Sequence, residues 1–301
     1  MTKQQTSKLP LNGVLLLDKP LGLSSQQALG RAKHLFCAAK AGHTGTLDPL
    51  ATGLLPLCFG EATKFSQGLL NADKTYEADI YLGRTTTTGD AEGDLLNSLP
   101  VNVTLLDVQL ALRAFVGELM QLPPMYSALK KDGKPLYFYA RQGATIEREA
   151  RPIVIHRLEL LAFTTPIIKV RVQCSKGTYI RTLAEDIGLH LGCGAHLTAL
   201  RRTAVAALDV AQAMTLTAIE HTPQANRQHL LAPLDILIQD LYKLDLDKAS
   251  SHRFLLGQRL AGWDHLSDGV LRVYDGDSLL GLAQCQSGVL RPQRLVQQNR
   301  S

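Results

Sequence analysis

The sequence predicts an α+β fold: a large N-terminal domain on a largely antiparallel mixed sheet flanked by helices, then a small β-rich C-terminal domain. Three observations carry this. Strand-like and helix-like segments mix irregularly, without the strict alternation of a parallel βαβ array. The clearest strand, "KTYEADIYLG" (Lys74–Gly83), alternates apolar and polar residues as a half-buried strand does. The last forty or so residues hold short strand-like runs, "GVLRVYDGDSLLGLAQ" and "GVLRPQRLV", broken by Gly/Asp turns. The 301 residues can enclose two cores. The division expected is 1–235 for the main domain, with an excursion at about 124–152, and 236–301 for a linker and the C-terminal domain.

Taken in order, "GVLLLDKP" (Gly13–Pro20) is a short buried strand ended by a Lys-Pro turn. "SSQQALGRAKHLF" follows as a helix with a serine cap and apolar residues at helical spacing. "LLPLCFG" (Leu54–Gly60) is a compact apolar strand, and "RTTTTGDAEGD" a polar loop after the alternating strand. "LLDVQLALRAFVG" is an amphipathic helix. Two strand-like runs, "IVIHRLELLAF" and "IIKVRVQC", flank a Thr-Thr-Pro turn, and "TLAEDIGLHLG" is a helix stopped by glycine. Residues 230–260 read as a bridge. No internal repeat or low-complexity tract is present.

Bulk composition narrows the class. With 32 Lys/Arg against 27 Asp/Glu the net charge is +5, a mild bias in the direction of a polyanionic partner. The five cysteines are odd in number and widely spaced, with no C-x-x-C pair, which argues against a disulfide framework or a structural zinc site. "MTKQQTSKLPLNG" lacks an apolar signal core and no run approaches the length of a membrane span. A soluble cytoplasmic protein with reduced thiols and no membrane association is expected.

Chemistry is sought first at "AGHTGTLDPLATGLL" (Ala41–Leu55), where Asp48 is the single acidic residue. Pro49 biases Asp48 to extended backbone, and Gly42, Gly45 and Gly53 permit tight bends and close approach of a ligand. An isolated Asp-Pro ordinarily just starts a turn, and no Gly-Lys-Ser/Thr follows to make a phosphate loop. Arg181, in "CSKGTYIRTLAEDIG", lies near the start of a helix; beside a carboxylate in a partly buried cleft it would hold that carboxylate ionised and oriented. An exposed helical arginine is the commoner case. Tyr179 and Tyr76 could stack on a planar ligand or simply fill a sheet, and His43 is ordinarily a loop hydrogen-bonder. The excursion from Met125 to Arg151 interleaves Lys130, Lys131, Lys134, Arg141, Arg148 and Arg151 with Tyr126, Tyr137, Phe138 and Tyr139. Cations for phosphates and rings for bases are what folded RNA requires, although a solvated hairpin and helix would have the same composition.

"GHTGTLDPLATGLLPLCFGEATK" resembles the signature stretch of the TruB family of tRNA pseudouridine synthases. "LLLDKPLGLSS", "KTYEADIYLGRTTTTGDAEGD", "QLPPMYSALKKDGKPLYFYAR", "CSKGTYIRTLAEDIG" and "GAHLTALRRT" resemble further family blocks in the family's order, spanning roughly Gly13 to Thr203. After about Leu230 the likeness thins to "APLD" and "LLGQRL". One departure is Gln26-Gln27, where members often carry His-Asp or Asn-Asp; those positions are expected to start a helix away from the reaction centre.

The resemblance implies a pseudouridine synthase catalytic domain with a small C-terminal PUA-like RNA-binding domain. The implied activity is isomerisation of uridine 55 in the T-loop of tRNA, with the base flipped out, detached, turned and rejoined through carbon. It implies Asp48 as the essential carboxylate, acting as nucleophile or base, with Arg181 as its partner. Tyr76 would stack on the flipped base and could also move a proton. His43 would fill the space the base vacates, Tyr179 and Leu200 would complete the pocket, and Asp90 would help place the nucleotide. Lys19 and Lys64 would be cations near the RNA backbone, and Lys130, Lys131, Lys134 and Arg141 would grip RNA from the excursion. No metal, nucleotide or redox cofactor is implied, and a monomer binding the tRNA T-arm is expected. Two other readings are a catalytically idle tRNA-binding protein on this scaffold and a guide-RNA-dependent relative. Retention of Asp48 and Arg181 argues against the first, the short N-terminus and the intact Met125–Arg151 excursion against the second.

Overall fold

The computed structural model describes residues 8–297. The first seven residues of the N-terminal stretch read for targeting lie outside that range. In chain order, β1 (Gly13–Lys19) is followed by α1 (Ser25–Leu35), β2 (Ala41–His43), β3 (Ala51–Phe59), α2 (Gln67–Asn71) and β4 (Lys74–Leu82). A hairpin of β5 (Arg84–Thr86) and β6 (Leu95–Ser98) leads to α3 (Leu105–Ala114) and β7 (Gly117–Gln121). The basic excursion holds a minimal hairpin, β8 (Lys130–Lys131) and β9 (Lys134–Pro135), and α4 (Leu136–Ala140). Then come β10 (Arg151–Thr164), β11 (Ile167–Cys174), α5 (Ile180–His190), β12 (Ala195–Val205), β13 (Leu208–Asp209), β14 (Met214–Thr215) and α6 (Leu216–His221). The C-terminal part comprises β15 (Tyr242–Asp245), α7 (Lys248–Leu255), β16 (Leu260–Ala261), β17 (Gly269–Asp275), β18 (Ser278–Gln286) and β19 (Val289–Leu295).

The main sheet has ten strands in the order β14-β1-β3-β12-β4-β11-β10-β7, with β13 on β12 and β2 on β3. Only β1–β14 and β3–β12 pair in parallel; its other pairings are antiparallel. A separate five-stranded sheet runs β15-β17-β18-β19-β16. The α+β architecture, the mixed sheet and the β-rich C-terminal part are therefore as expected.

Local sequence explains the elements that face the site. In β4, Lys74, Tyr76, Ala78, Ile80 and Leu82 are buried and the intervening residues less so, which is the period of two read from the sequence. In α1, Ser24 and Gln27 form a reciprocal capping box that satisfies the first free amides. Helices α1, α3 and α5 cover one face of the sheet, and their apolar sides join β1, β3 and β4 in the larger core. On the other face Val14, Leu16, Leu54, Cys58 and Phe65 form a second core, on which Leu279, Leu282 and Val296 of the C-terminal part also pack.

Three elements differ from expectation. "RTTTTGDAEGD" begins with a strand, because Arg84–Thr86 pairs with the exposed strand β6. β7, directly after the amphipathic helix, is a strand that no reading of the sequence anticipates. Most consequential is β12: "AHLTALRRTAV" loses its apolar alternation after Ala199, yet it lies centrally, paired to β3 on one side and β4 on the other. Of its charges, Arg201 is held by a bidentate pair with Asp18 at 3.0 and 2.7 Å.

Candidate active site

Asp48 stands on the loop between β2 and β3, and that loop is pinned at both ends. The Ser25 hydroxyl, at the start of α1, accepts from the Leu47 amide at 2.7 Å and donates to the Leu47 carbonyl at 3.0 Å. The Gly22 amide donates to the Pro49 carbonyl and the Ala51 amide to the Asp48 carbonyl. Leu47 is buried while the Asp48 side chain is 45% exposed, so the backbone is fixed and the carboxylate projects. Gly53 has a φ of +97°, and a Cβ there would lie 2.3 Å from the Arg202 carbonyl; glycine lets β3 and β12 approach.

Arg181 lies in the first turn of α5 and is almost wholly buried. The start of that helix is fixed by buried Gln121, which accepts from the Tyr179 amide and donates to the Tyr179 carbonyl. The Arg181 guanidinium reaches Asp48 Oδ2 at 2.8 Å and Asp90 Oδ2 at 3.5 Å. It also donates to the carbonyls of Thr88 at 3.1 Å and Tyr126 at 2.6 Å. One arginine thus ties together the Asp48 loop, the Thr88–Asp90 turn, α5 and the first residues of the basic excursion. Asp90 is buried and accepts from the Thr88 hydroxyl at 2.5 Å and the Glu92 amide at 3.1 Å. Burial, then the Asp90 and Asp48 carboxylates, push the Glu92 carboxyl up. Burial and Asp186 do the same to Glu185.

Two clefts meet at Asp48 and Arg181. The first, of about 350 Å³, is lined by Asp48, Tyr76, Tyr179, Leu200 and Arg202 among others. The second, of about 480 Å³, is lined by His43, Asp48, Asp90 and Arg181, with Tyr137 of α4 and Arg141, the residue that caps that helix, on its wall. Both volumes are in the range of small-ligand sites. Of the residues read from sequence, the structure brings together Asp48, Arg181, Tyr76, Tyr179 and Leu200 at one cleft and His43, Asp90 and Arg141 at the other. Burial raises the Tyr76 and Tyr179 phenols above their ordinary range; the Arg202 guanidinium opposes this at Tyr76 and the Ser127 hydroxyl at Tyr179. Burial lowers the His43 imidazole, favouring its neutral form.

Lys19 and Lys64 are placed elsewhere. Lys19 is 0% exposed, and its ammonium donates to the Pro20 and Leu23 carbonyls; it braces the turn after β1 and cannot face an RNA backbone in this structure. Burial lowers it to about 8. Lys64 pairs with Glu61 at 2.7 Å and donates to the Leu295 carbonyl, joining the main domain to the C-terminal sheet. Neither lines the clefts. Lys130, Lys131 and Lys134 are exposed on the β8–β9 hairpin, with Lys134 over the Phe138 ring at 4.7 Å. Gln26, expected away from the centre, lines the second cleft, because the turn of chain before α1 brings it beside Pro49.

Sequence reasoning missed Arg202 and Lys74. Arg202 is 1% exposed, lines the first cleft, and donates from Nε to the Leu54 carbonyl at 2.7 Å. Lys74 is buried at the same cleft, donates to the carbonyls of Leu69, Leu70 and Ala72, and is lowered by burial to about 8. Only a charged residue within a strand pattern could have flagged either. Among the described residues no group of three or more His, Cys, Asp or Glu side chains is placed to hold a metal ion, and no helix is long and apolar enough to cross a membrane.

Comparison with known proteins matches residues 33–180 to the TruB family pseudouridylate synthase N-terminal domain. Residues 181–241 match the tRNA pseudouridylate synthase B C-terminal domain, and 243–296 the C-terminal domain of pseudouridine synthase II TruB. The chain is 58% identical to tRNA pseudouridine synthase B of Burkholderia mallei, over 98% of this chain and 97% of the relative. It is 58% identical to that of Cupriavidus taiwanensis, over 95% and 94%. Its fold resembles a solved Cbf5–Nop10–Gar1 complex chain with a TM-score of 0.73 at 24% identity, covering 98% of this chain and 91% of that one.

Proposed function

The chain belongs to the TruB family of pseudouridylate synthases, isomerases that convert uridine in tRNA to pseudouridine, and on that premise we propose that Asp48 acts at the bond between the target ribose and its base. The observation that carries this reading is the place of Asp48 where the two clefts meet, with one carboxylate oxygen held by buried Arg181. The held oxygen fixes the group, and the exposed remainder of the side chain is open to substrate.

The target is the T-loop uridine numbered 55. Its base leaves the stack at a cost of a few kcal/mol and enters the first cleft, where Tyr76 and Leu200 supply apolar faces and Tyr179 closes the side toward α5. His43, neutral at the second cleft, occupies the space left behind. Arg181 keeps Asp48 oriented, and Asp90 holds Arg181 from its other edge. Such preorganisation puts the carboxylate at the reacting carbon without ordering it anew in each turnover. The bond from C1′ to N1 breaks, a bond from C1′ to C5 forms, the C5 proton is lost and N1 gains one. Atoms and electrons balance without an oxidant or a hydrolytic water.

Lys130, Lys131, Lys134 and Arg141 grip the T-arm from the excursion, and residues 236–301, as a linker and PUA-like RNA-binding domain, reach its acceptor side. The protein acts as a monomer in the cytoplasm, without a cofactor.

Release of tritium from uridine-5-labelled tRNA transcript, compared for wild type and Asp48→Asn with RNA binding measured in parallel, tests the reading. Release by wild type with a silent variant that binds normally is expected. Release by Asp48→Asn at the wild-type rate would overturn the role of Asp48.

A further inference from the structure

Ser127 carries a hydroxyl that the proposed chemistry leaves without a task. The residue stands between β7 and β8, at the root of the basic excursion, and is 5% exposed. Its Oγ is buried with no hydrogen-bond partner among the described residues. A hydroxyl cut off from water and left unpaired is a net cost to folding, and an alanine would fill the same place without that cost. Such an oxygen points to a partner that arrives with the substrate.

Its position says which part of a nucleotide that partner is. Ser127 lines both clefts, as Asp48 and Arg181 do, so it belongs to their junction rather than to the deep end of either. Of the polar side chains common to both clefts, Thr46, Asp48 and Tyr126 are open to solvent and Arg181 is engaged with Asp48, Thr88 and Tyr126. Among the described residues only Ser127 of this group is buried and unpaired. The backbone around it is tied from two sides. The Tyr126 carbonyl accepts from Arg181 at 2.6 Å, the Ser127 carbonyl from the Tyr137 amide at 3.2 Å and the Leu129 carbonyl from the Leu136 amide at 2.7 Å. The Tyr179 phenol is near enough for this hydroxyl to favour its ionised form, yet no hydrogen bond of ordinary geometry joins the two. Two neighbouring hydroxyls without a bond between them leave a place for a third.

We propose that the Ser127 hydroxyl binds the 2′-hydroxyl of the target ribose and so makes the site selective for a ribonucleotide at the position that reacts. The inference rests on the reading above, in which Asp48 acts at C1′. The 2′-oxygen is two bonds from C1′, so with the carboxylate at that carbon it stands at the junction that Asp48 and Ser127 both line. On the same placement the uracil ring lies deeper, against Tyr76 and Leu200. The phosphates lie outward, where the exposed lysines of the excursion serve an anion better than a neutral hydroxyl does. A hydroxyl both donates and accepts, so serine matches a second hydroxyl where a cation would not. A serine oxygen also swings about a single torsion without its backbone, so the wall that keeps water from it admits a ligand that fills the cleft. The 2′-hydroxyl is the group by which a protein tells RNA from DNA at a given nucleotide.

The experiment uses a T-arm hairpin RNA with either uridine or 2′-deoxyuridine at the target position, and compares wild type with Ser127→Ala. Single-turnover conversion is read by chromatography of the digested RNA, and affinity is measured for each protein on each hairpin. The preference of wild type for uridine should exceed that of Ser127→Ala by about 3- to 10-fold, because the variant loses that factor on the uridine hairpin and nothing on the other. Crossing the residue change with the substrate change cancels any effect that the missing 2′-oxygen has on the chemistry itself. A merely structural serine would give equal losses on both hairpins. That result overturns the proposal, as does a variant that matches wild type on both. If neither protein converts 2′-deoxyuridine, the ratio of affinities decides by the same criterion. If Ser127→Ala fails to fold, Ser127→Cys, which keeps the shape and weakens the hydrogen bond, carries the same comparison. Asp48→Asn on the uridine hairpin separates the two ideas: an active Asp48→Asn refutes the site reading, whereas a silent one beside equal losses refutes the role of Ser127 alone.

Discussion

Ser25→Ala removes an oxygen that lies outside the reacting centre but fixes the loop that carries Asp48. The hydroxyl bonds both the amide and the carbonyl of Leu47, at 2.7 and 3.0 Å, and both residues are buried. Each hydrogen bond contributes about 1 kcal/mol net, and an amide left unpartnered in the interior adds a desolvation cost of about 1 kcal/mol or more. The sum is about 3 kcal/mol, which for a chain of this size lowers the melting temperature by roughly 6–12 °C. Release of the backbone one residue before Asp48 also costs alignment, for which about a 10- to 100-fold loss in single-turnover rate is expected. Thermal melting and tritium release on the same preparation read both effects, with tRNA affinity expected to hold. Serine has no contact with the clefts other than by forming their wall, so a threonine should restore part of both losses. A Ser25→Ala protein that melts within 1–2 °C of wild type (roughly the shift of a surface change) and turns over at full rate would refute the argument.

Three further outcomes are expected. Arg181→Lys gives up a guanidinium that reaches Asp48, Asp90, Thr88 and Tyr126 together, and single-turnover rates should fall about 100- to 1,000-fold with little change in RNA affinity. Lys19 and Lys74 are lowered to about 8 from 10.5, so between those values the unfolded chain holds protons that the folded chain has released, and their contribution to stability rises with pH. Cys58 and Cys174, raised to about 12 from 9.0, act in the opposite sense above pH 9.0. Melting temperatures from about pH 8 to about pH 9 should therefore show a rise that Lys74→Met flattens. The double change Lys130→Ala with Lys131→Ala should weaken tRNA binding and reduce the slope of log affinity against log salt by roughly 1.5; an unchanged slope would remove those exposed side chains from the interface.

What was legible in the sequence was what local pattern encodes. β1 shows as an unbroken apolar run because both its faces are covered, β4 as an alternation, and α1 through its serine cap. β12 was not legible, since its arginines and threonines are accommodated by Asp18, Leu54 and Thr75, residues far away in the chain. Asp48 and Arg181 could be nominated from local features and resemblance, but the distance between them exists only in the folded sheet. Lys19 shows the limit of reading charge as exposure: a lysine before a proline turn reads as solvent-facing, and its ammonium instead satisfies two carbonyls within that turn. The same holds for Arg202, whose burial no local pattern implies.

The second core has a consequence for measurement in the literal sense. Leu279, Leu282 and Val296 share it with Val14, Leu16 and Leu54, and Lys64 and Glu61 reach Leu295 and Gln297 across the same junction. A joint made of interdigitated side chains does not hinge as a flexible linker would. On the proposed reading, in which the C-terminal sheet also touches the RNA, the protein would act as a caliper with one jaw at the Asp48 loop and the other at that sheet, and a substrate engaging both would be gauged by its length and shape.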